Sequence, residues 1–281
     1  MTVVTQASEL TAALGNAGQP RVLVPTMGAL HHGHLALIRH AKILAGAQGT
    51  VVVSIFVNPM QFDRAGDLAA YPRPREADLA ACRAAGVAVV FAPEAAAMYA
   101  PDHSVTVSES QLSRNLCGAA RPGHFDGVCT VVLKLFLLCS CQIAVFGEKD
   151  FQQLAVIRRM VRDLNVPVVI VAHPTVRETN GLAMSSRNAR LNAAQRADAP
   201  RLRRALLAAQ AAFQAGTRRP AELLTMARQA IEASGLARMD YLSLVDADSL
   251  ESVEHVEGPA LLATAVFYGE VRLIDHVCLV P

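Results

Sequence analysis

Residues 21–45 read RVLVPTMGALHHGHLALIRHAKILA, a short apolar run that turns directly into an amphipathic pattern. We predict a buried strand over residues 21–24 and a helix over residues 34–45, because apolar side chains recur there at helical spacing. The turn between them is rich in glycine and histidine. A strand that leads through such a turn into a helix predicts an α/β fold with a ligand site at this turn.

The same alternation continues through the first 170 residues. Further strands are predicted at 50–57, 87–91, 143–146 and 166–171, and further helices at 76–85, 128–138 and 151–164. Gly86 follows the second helix and suits a left-handed cap. Strands that alternate with helices predict a mostly parallel sheet with helices on both faces.

After residue 174 the pattern changes. Two alanine-rich helices are predicted over 193–214 and 220–234, then strands over 239–245, 260–267 and 271–279 with a hairpin at 268–270. We therefore predict two domains, an α/β domain over residues 1–174 and a smaller α+β domain over residues 175–281.

Composition excludes several classes of protein. The chain has 281 residues and a formal charge of +2, which gives no basic field for nucleic acid. The most apolar stretch, residues 131–146, is interrupted by Lys134, Ser140 and Gln142 and is too short to span a membrane. No signal peptide is visible, and the six cysteines show no CxxC pair, so we expect reduced thiols and a cytoplasmic protein.

The turn at residues 25–34, PTMGALHHGH, carries the first chemical signal. Gly28 and Gly33 allow the backbone to approach a ligand, and a helix N-terminus offers unpaired N–H groups to phosphate. His31 and His34 can donate hydrogen bonds as charge develops in a transition state. A histidine-rich surface turn and a metal site remain alternatives, and neither a GxGxxG turn nor a P-loop is present.

Polar residues also follow other predicted strands. Asn58 and Gln61 come after the second strand, where two amides could bind a hydroxyl and a carboxylate, although an Asx turn explains Asn58 equally well. Residues 147–150, GEKD, follow a later strand, and Gln152 and Gln153 open the next helix. Residues 184–187, MSSR, could clamp a phosphate or form a hydrated linker.

Together these segments resemble a known family. HHGH at 31–34 is similar to the HxGH signature of the nucleotidyltransferase superfamily that includes class I aminoacyl-tRNA synthetases, and MSSR at 184–187 is similar to its KMSKS-type signature. Within it, PTMGALHHGH, FVNPMQF, RPGHFDGV, FGEKDFQQ and MSSRN, in this order, resemble pantoate–β-alanine ligases. The resemblance extends from about residue 20 to the last strand and implies a Rossmann-like sheet with a C-terminal lid domain.

The resemblance also implies the reaction. Mg²⁺-ATP would activate pantoate as an enzyme-bound pantoyl adenylate with release of pyrophosphate, and β-alanine would then displace AMP to give pantothenate. The implied partners are ATP, pantoate, β-alanine and a second copy of the chain in a homodimer, with no nucleic acid and no membrane. No protein metal ligand and no covalent nucleophile is implied.

Site residues follow from the same resemblance. His34 would be the transition-state donor and His31 its partner, with Lys149 and Arg187 as further catalytic groups on phosphate. Gln61 and Gln153 would bind pantoate, and Gln61 would also border β-alanine. Arg121 and His124 lie in a family motif, but a structural role and a dimer contact remain open. The implied ATP contacts are Met27, Gly28, Ala29, Leu30, His31, His32, Gly33, His34, Gly147, Glu148, Lys149, Asp150, Val176 (through its backbone), Met184, Ser185, Ser186 and Arg187.

Two rival functions stay in view. One is another nucleotidyltransferase with this signature that acts on a different small acid or on a phosphate, but extra cations would then be expected near the neutral Asn58 and Gln61. The other is a non-catalytic nucleotide-binding regulator, which would not need His34, Lys149 and Arg187 together. A full aminoacyl-tRNA synthetase is excluded by size and by the lack of a basic tRNA-binding region.

Overall fold

Nine strands form two separate sheets in the computed structural model, which describes all residues from Met1 to Pro281. The strands are β1 (Thr2–Val4), β2 (Arg21–Thr26), β3 (Thr50–Ile55), β4 (Val89–Phe91), β5 (Ile143–Gly147), β6 (Val169–His173), β7 (Arg238–Asp246), β8 (Ala260–Tyr268) and β9 (Val271–Leu279). The α-helices are α1 (Ala7–Leu14), α2 (His32–Ala45), α3 (Ala65–Ala69), α4 (Arg75–Ala84), α5 (Ala95–Met98), α6 (Cys117–Ala120), α7 (His124–Cys139), α8 (Phe151–Asp163), α9 (Ala193–Asp198), α10 (Arg201–Gln214) and α11 (Pro220–Glu232). Short 3₁₀ turns cover Pro59–Gln61, Glu148–Asp150 and Ser186–Arg190.

Contacts within the chain divide it into two units. The first contains Met1–Glu109, Arg121–Glu148 and Gln153–Pro174, and the second contains Ser110–Ala120, Lys149–Gln152 and Thr175–Pro281. The main break in the chain therefore falls after Pro174. The division predicted from the sequence did not assign the two short earlier segments to the second unit.

The sheet of the first unit is wholly parallel, in the order β1-β4-β3-β2-β5-β6. From β2 the chain proceeds to β3 and β4 on one side, and later to β5 and β6 on the other. The carboxyl ends of β2 and β5 are therefore the point at which the strand order diverges, where parallel sheets bind ligands. The loops that carry the HHGH and GEKD motifs begin there.

Helices cover this sheet on both faces. Ile38 and Ala41 of α2 and Cys82 of α4 form one buried cluster with alternate residues of β2, including Val22 and Val24. Helix α7 contacts β2 and α1, and none of its residues belongs to that cluster. The predicted α/β architecture is confirmed.

The second unit has an antiparallel sheet in the order β7-β8-β9. Leu206 and Phe213 of α10 and Leu223 of α11 are fully buried with the apolar side chains of this sheet. Tyr268 at the end of β8 donates a hydrogen bond to Asp198 of α9 (2.8 Å), which joins a helix to the sheet. The α+β prediction for this region is confirmed, including the tight hairpin between β8 and β9.

Several predicted boundaries were wrong. The helix predicted over 193–214 is two helices, because Pro200 lacks an N–H group and α10 starts anew at Arg201. The strand predicted over 50–57 ends at Ile55, ahead of the turn that Asn58 caps, and the strand predicted over 166–171 begins only at Val169. β1 and α1 had not been predicted. Gly86 adopts the left-handed conformation expected of it (φ +69°).

No helix combines the length and the apolar character that crossing a bilayer requires. The apolar stretch at 131–146 is split between α7 and β5. All six cysteines are free thiols, and four of them, Cys82, Cys129, Cys139 and Cys141, are buried.

Candidate active site

The loop after β2 is held in an unusual backbone conformation. Gly28 and Ala29 both have positive φ (+77° and +48°), which is uncommon for a residue with a Cβ such as Ala29. The Gly28 N–H donates to Thr26 Oγ1 (3.1 Å), and the next two N–H groups donate to the buried carboxylate of Asp78. The loop that would contact ATP is therefore shaped by bonds within the protein.

His31 and His34 are brought together at the start of α2. Their rings stack with centroids 4.1 Å apart. His31 Nδ1 accepts from the Gly33 N–H (3.1 Å), and His34 Nδ1 accepts from the His31 N–H (3.3 Å). A nitrogen that accepts a backbone N–H carries no proton, so Nε2 is the nitrogen of each ring that can donate.

This arrangement corrects one expectation. The sequence predicted unpaired N–H groups at the helix N-terminus, but the Gly33 N–H is capped by His31. Donors toward a ligand at this terminus would therefore come from the imidazole Nε2–H groups at least as much as from the backbone. His32 is exposed and lies beside them in the first turn.

Asn58 and Gln61, after β3, form one hydrogen-bonded network. Asn58 is almost wholly buried; its Nδ2 donates to Gln61 Oε1 (3.1 Å) and to the Gly127 carbonyl (3.0 Å), and its Oδ1 accepts from the Met60 N–H (3.3 Å). Tyr99 also donates to Asn58 Oδ1 (2.9 Å), and burial raises the pKa of Tyr99 to about 12, which keeps this donor protonated. Asn58 thus forms an Asx turn and orients Gln61, so the idea that both amides bind ligand is wrong for Asn58.

Gln61 faces the loop after β2. Its Nε2 lies 3.1 Å from the sulfur of Met27, which is the direct contact between these two predicted site segments. The backbone of Met60 and Gln61 packs against Gly127, where an added Cβ would approach to 2.5 Å. Only glycine at position 127 permits this close approach.

Arg121 and His124, whose roles the sequence left open, both bind the main-chain carbonyl of Gln61. Arg121 Nη2 donates to it at 2.9 Å, and His124 Nδ1 lies at 2.7 Å. Arg121 Nη1 is 3.1 Å from His124 Nε2, so Nε2 accepts and Nδ1 carries the proton that Gln61 receives. Arg121 and His124 therefore position Gln61 by binding its main-chain carbonyl.

Asp63 completes this group. Arg121 Nε donates to Asp63 Oδ1 at 2.7 Å. Burial alone raises the pKa of the Asp63 carboxyl, but the hydrogen bond and charge of Arg121 outweigh burial and hold that pKa below its usual value. The carboxylate therefore keeps Arg121 in place across the neutral pH range.

The residues that follow β5 divide by role. Lys149 is partly buried and pairs with Asp150 (3.3 Å). Gln152 is buried and binds the segment 110–120, because it accepts from the Cys117 N–H (2.9 Å) and donates to the Leu112 and Asn115 carbonyls. Gln153 is half-buried, and its amide makes no hydrogen bond within the protein.

In the second unit, residues 176–188 form a hairpin that is held by hydrogen bonds within it. The Met184 N–H donates to the Val176 carbonyl (3.0 Å), and Ser185 Oγ accepts from the Arg187 N–H (3.2 Å). Buried Asn188 donates to Glu178 Oε1 (3.1 Å) and to the Ala183 carbonyl (3.0 Å). The MSSR segment is thus an ordered turn rather than a hydrated linker.

Two residues that bind these segments, Asp78 and Tyr99, were not predicted from the sequence. Each lies outside the five motifs, and each acts on a motif residue from an element far along the chain. Asp78 lies in the first turn of α4, where acidic residues are common, so the sequence carries no distinct signal for its role.

Comparison with known proteins identifies the family of the chain. The family model for pantoate-beta-alanine ligase matches residues 2–278. A pantothenate synthetase of Akkermansia muciniphila is 53% identical over 91% of this chain and 91% of its own. The crystal structure of pantothenate synthetase from Thermus thermophilus has a TM-score of 0.94 at 45% identity and full coverage of both chains.

A third similar structure carries ligands. It is pantoate-beta-alanine ligase from Francisella tularensis complexed with beta-gamma ATP and beta-alanine, with a TM-score of 0.80 and 29% identity over 99% of this chain and 97% of that one. On this evidence the chain belongs to the pantoate–β-alanine ligase family, the enzymes that form pantothenate from pantoate and β-alanine.

Proposed function

We propose that this enzyme works through a pantoyl adenylate formed at the carboxyl edge of the parallel sheet. The observation that carries the proposal is the pair of imidazoles of His31 and His34, whose Nδ1 atoms both accept backbone N–H groups. Each ring is therefore fixed as an Nε2–H donor at a helix N-terminus, the chemistry that stabilises developing phosphate charge.

The chemistry explains why activation is needed. A carboxylate and an ammonium group do not condense at neutral pH, because each is stable in its charged form. In the first step a pantoate carboxylate oxygen bonds to the α-phosphorus of ATP as the bond to pyrophosphate breaks. In the second step the neutral β-alanine amine bonds to the acyl carbon, AMP leaves with that oxygen, and the amine loses a proton.

For ATP we propose contacts along residues 27–34, 147–150 and 184–187 and at the Val176 backbone. His34 would donate to the α-phosphate in the transition state, with His31 beside it. Lys149 and Arg187 would neutralise phosphate charge. Positioning of the two reactants can contribute about 7–11 kcal/mol to lowering the barrier.

For pantoate we propose Gln61 and Gln153. They follow β3 and β5, the two neighbours of β2 in the sheet, so both lie at the same carboxyl edge. Gln153 has an unpaired, half-buried amide, and Gln61 is held from several sides, as a selective site for hydroxyl groups requires. Met27 and Phe62 are the nearest candidates for an apolar wall against the gem-dimethyl group.

Magnesium would enter with ATP as part of the substrate. The chain contains no group of three or more His, Cys, Asp or Glu side chains arranged to hold a metal ion. Mg²⁺ commonly retains waters and binds substrate phosphates with few protein ligands, so we propose that it reaches the site as MgATP.

A cytoplasmic homodimer completes the proposal. Six free thiols suit a reducing compartment. Sedimentation at micromolar concentration would distinguish a dimer from a monomer.

The rival nucleotidyltransferase function is not favoured, because the family match covers nearly the whole chain.

The test of the adenylate is pantoate-dependent exchange of labelled pyrophosphate into ATP without β-alanine. We expect exchange with pantoate and none without it. If labelled pyrophosphate enters ATP only when β-alanine is also present, the separate adenylate step is wrong.

A further inference from the structure

Asp78 is a buried carboxylate that the proposed chemistry does not use. It lies in α4, is only 2% exposed, and forms no salt bridge. A buried carboxylate without a cationic partner is costly unless hydrogen bonds compensate for its lost hydration. The groups that donate hydrogen bonds to Asp78 should therefore indicate what the carboxylate does at this position.

Those partners are two successive N–H groups of the loop after β2. The Ala29 N–H donates to Asp78 Oδ2 (2.8 Å), and the Leu30 N–H donates to Oδ1 (2.7 Å). Each oxygen thus accepts one bond, and the carboxylate fixes two adjacent peptide planes. In a trans peptide the carbonyl points opposite to the N–H, so the Gly28 and Ala29 carbonyls point away from Asp78.

The backbone of this loop depends on that contact. Gly28 and Ala29 are both left-handed, and a Cβ at position 28 would lie 2.8 Å from Asp78 Oδ2 and 3.1 Å from a methyl carbon of Ile55. Glycine therefore lets the loop reach the carboxylate. Ala29 has a Cβ, so its left-handed conformation needs support from its surroundings, which the carboxylate supplies.

We propose that Asp78 is a positioning residue for the nucleotide site: it sets the course of residues 28–30 and so the placement of His31 and His34, which follow at once. This inference rests on the function proposed above for the two histidines. The competing explanation is that Asp78 only stabilises the fold. The two differ in whether ATP-dependent steps change under conditions where the variant is fully folded.

The test is Asp78→Asn, which keeps the size of the side chain. Its amide has one acceptor oxygen, so one loop N–H loses its bond and faces an NH₂ donor instead. The matched control is Glu76→Gln, an exposed carboxylate on the same helix. Both are assayed by pantoate-dependent pyrophosphate exchange well below the midpoint of thermal unfolding.

We expect Asp78→Asn to lower kcat/KM for ATP by about tenfold to a hundredfold, the loss of one hydrogen bond to a charged group, with a smaller change in the KM for pantoate. Glu76→Gln should match the unchanged protein. A folded Asp78→Asn variant with normal kcat/KM for ATP overturns the proposal, whatever its thermal stability.

Two further measurements keep the inference testable if that variant does not fold. In the unchanged protein, the Ala29 and Leu30 amides should exchange slowly with solvent in the absence of nucleotide, and rapid exchange would contradict the clamp. Gly28→Ala should impair the ATP step in the same direction, and a normal ATP step there would also contradict it. Absence of pantoate-dependent exchange in the unchanged protein would instead refute the proposed function, while the amide measurement would still decide the clamp.

Discussion

Replacing Arg121 by alanine should weaken pantoate binding, although Arg121 itself is not assigned a contact with substrate. The guanidinium donates to the Gln61 carbonyl, to His124 and to Asp63. Its removal leaves His124 on the Gln61 carbonyl and takes away one of the contacts that hold the turn carrying the Gln61 amide. The effect on substrate would therefore pass through the position of Gln61.

The magnitude follows from these bonds. A hydrogen bond from a charged donor contributes about 1.5–3 kcal/mol. The lower end applies here, because His124 still binds the carbonyl and the Arg121–Asp63 pair is partly exposed. About 1.4 kcal/mol corresponds to about a tenfold rise in the pantoate concentration needed for half-maximal rate.

The assay is pyrophosphate release at saturating ATP and varied pantoate, with ATP-analogue affinity measured separately by calorimetry. Arg162→Ala is the matched control, because Arg162 Nε also contacts an aspartate at 2.7 Å but on the surface. The reasoning is refuted if Arg121→Ala leaves the pantoate dependence unchanged, or if it weakens ATP-analogue binding by as much as it weakens pantoate use.

Four further outcomes are expected. His34→Ala should slow adenylate formation by the equivalent of about 3–4 kcal/mol while changing ATP affinity little, and near-normal turnover would remove its catalytic role. Gln153→Ala should raise the pantoate requirement several-fold, about 1–3 kcal/mol, and a loss of ATP affinity instead would assign it to the nucleotide. A bound ATP analogue should slow hydrogen exchange of residues 184–190, and unchanged exchange would argue against phosphate contact there. The pKa of Asp63 is lower in the folded protein than its usual value of 3.8, so the Asp63 carboxylate stabilises the fold fully above pH 3.8 and loses this effect as pH falls through its folded pKa. Thermal melts of Asp63→Asn should therefore show less acid sensitivity than those of the unchanged protein.

Most of the fold could be predicted because its signals are local. Strands β2 to β6 are apolar runs, and the amphipathic periodicity of α2 and α4 is visible without any partner. β1 could not be predicted, since its three residues become a strand only by pairing with β4, with Thr2 opposite Val89. The break between α9 and α10 could have been predicted from Pro200, but the alanine-rich sequence on both sides of the proline favours one continuous helix.

The candidate site divides in the same way. Glycines and histidines in a strand-to-helix turn indicate a phosphate site by their own chemistry, so residues 28–34 could be found from the sequence. The Asx turn of Asn58 was one of two alternatives that the sequence offered. Its bonds to Tyr99 and Gly127 could not be predicted, because they span long stretches of chain. Asp78 was hidden for the same reason, since its two partners lie nearly fifty residues earlier.

The most direct test of the central claim follows oxygen from pantoate. The enzyme is supplied with ATP, β-alanine and pantoate labelled with ¹⁸O in both carboxylate oxygens, and the products are analysed by mass spectrometry. If pantoyl adenylate is the intermediate, one heavy oxygen appears in AMP and the other stays in the amide carbonyl of pantothenate. AMP without heavy oxygen, or label in pyrophosphate, would contradict the account.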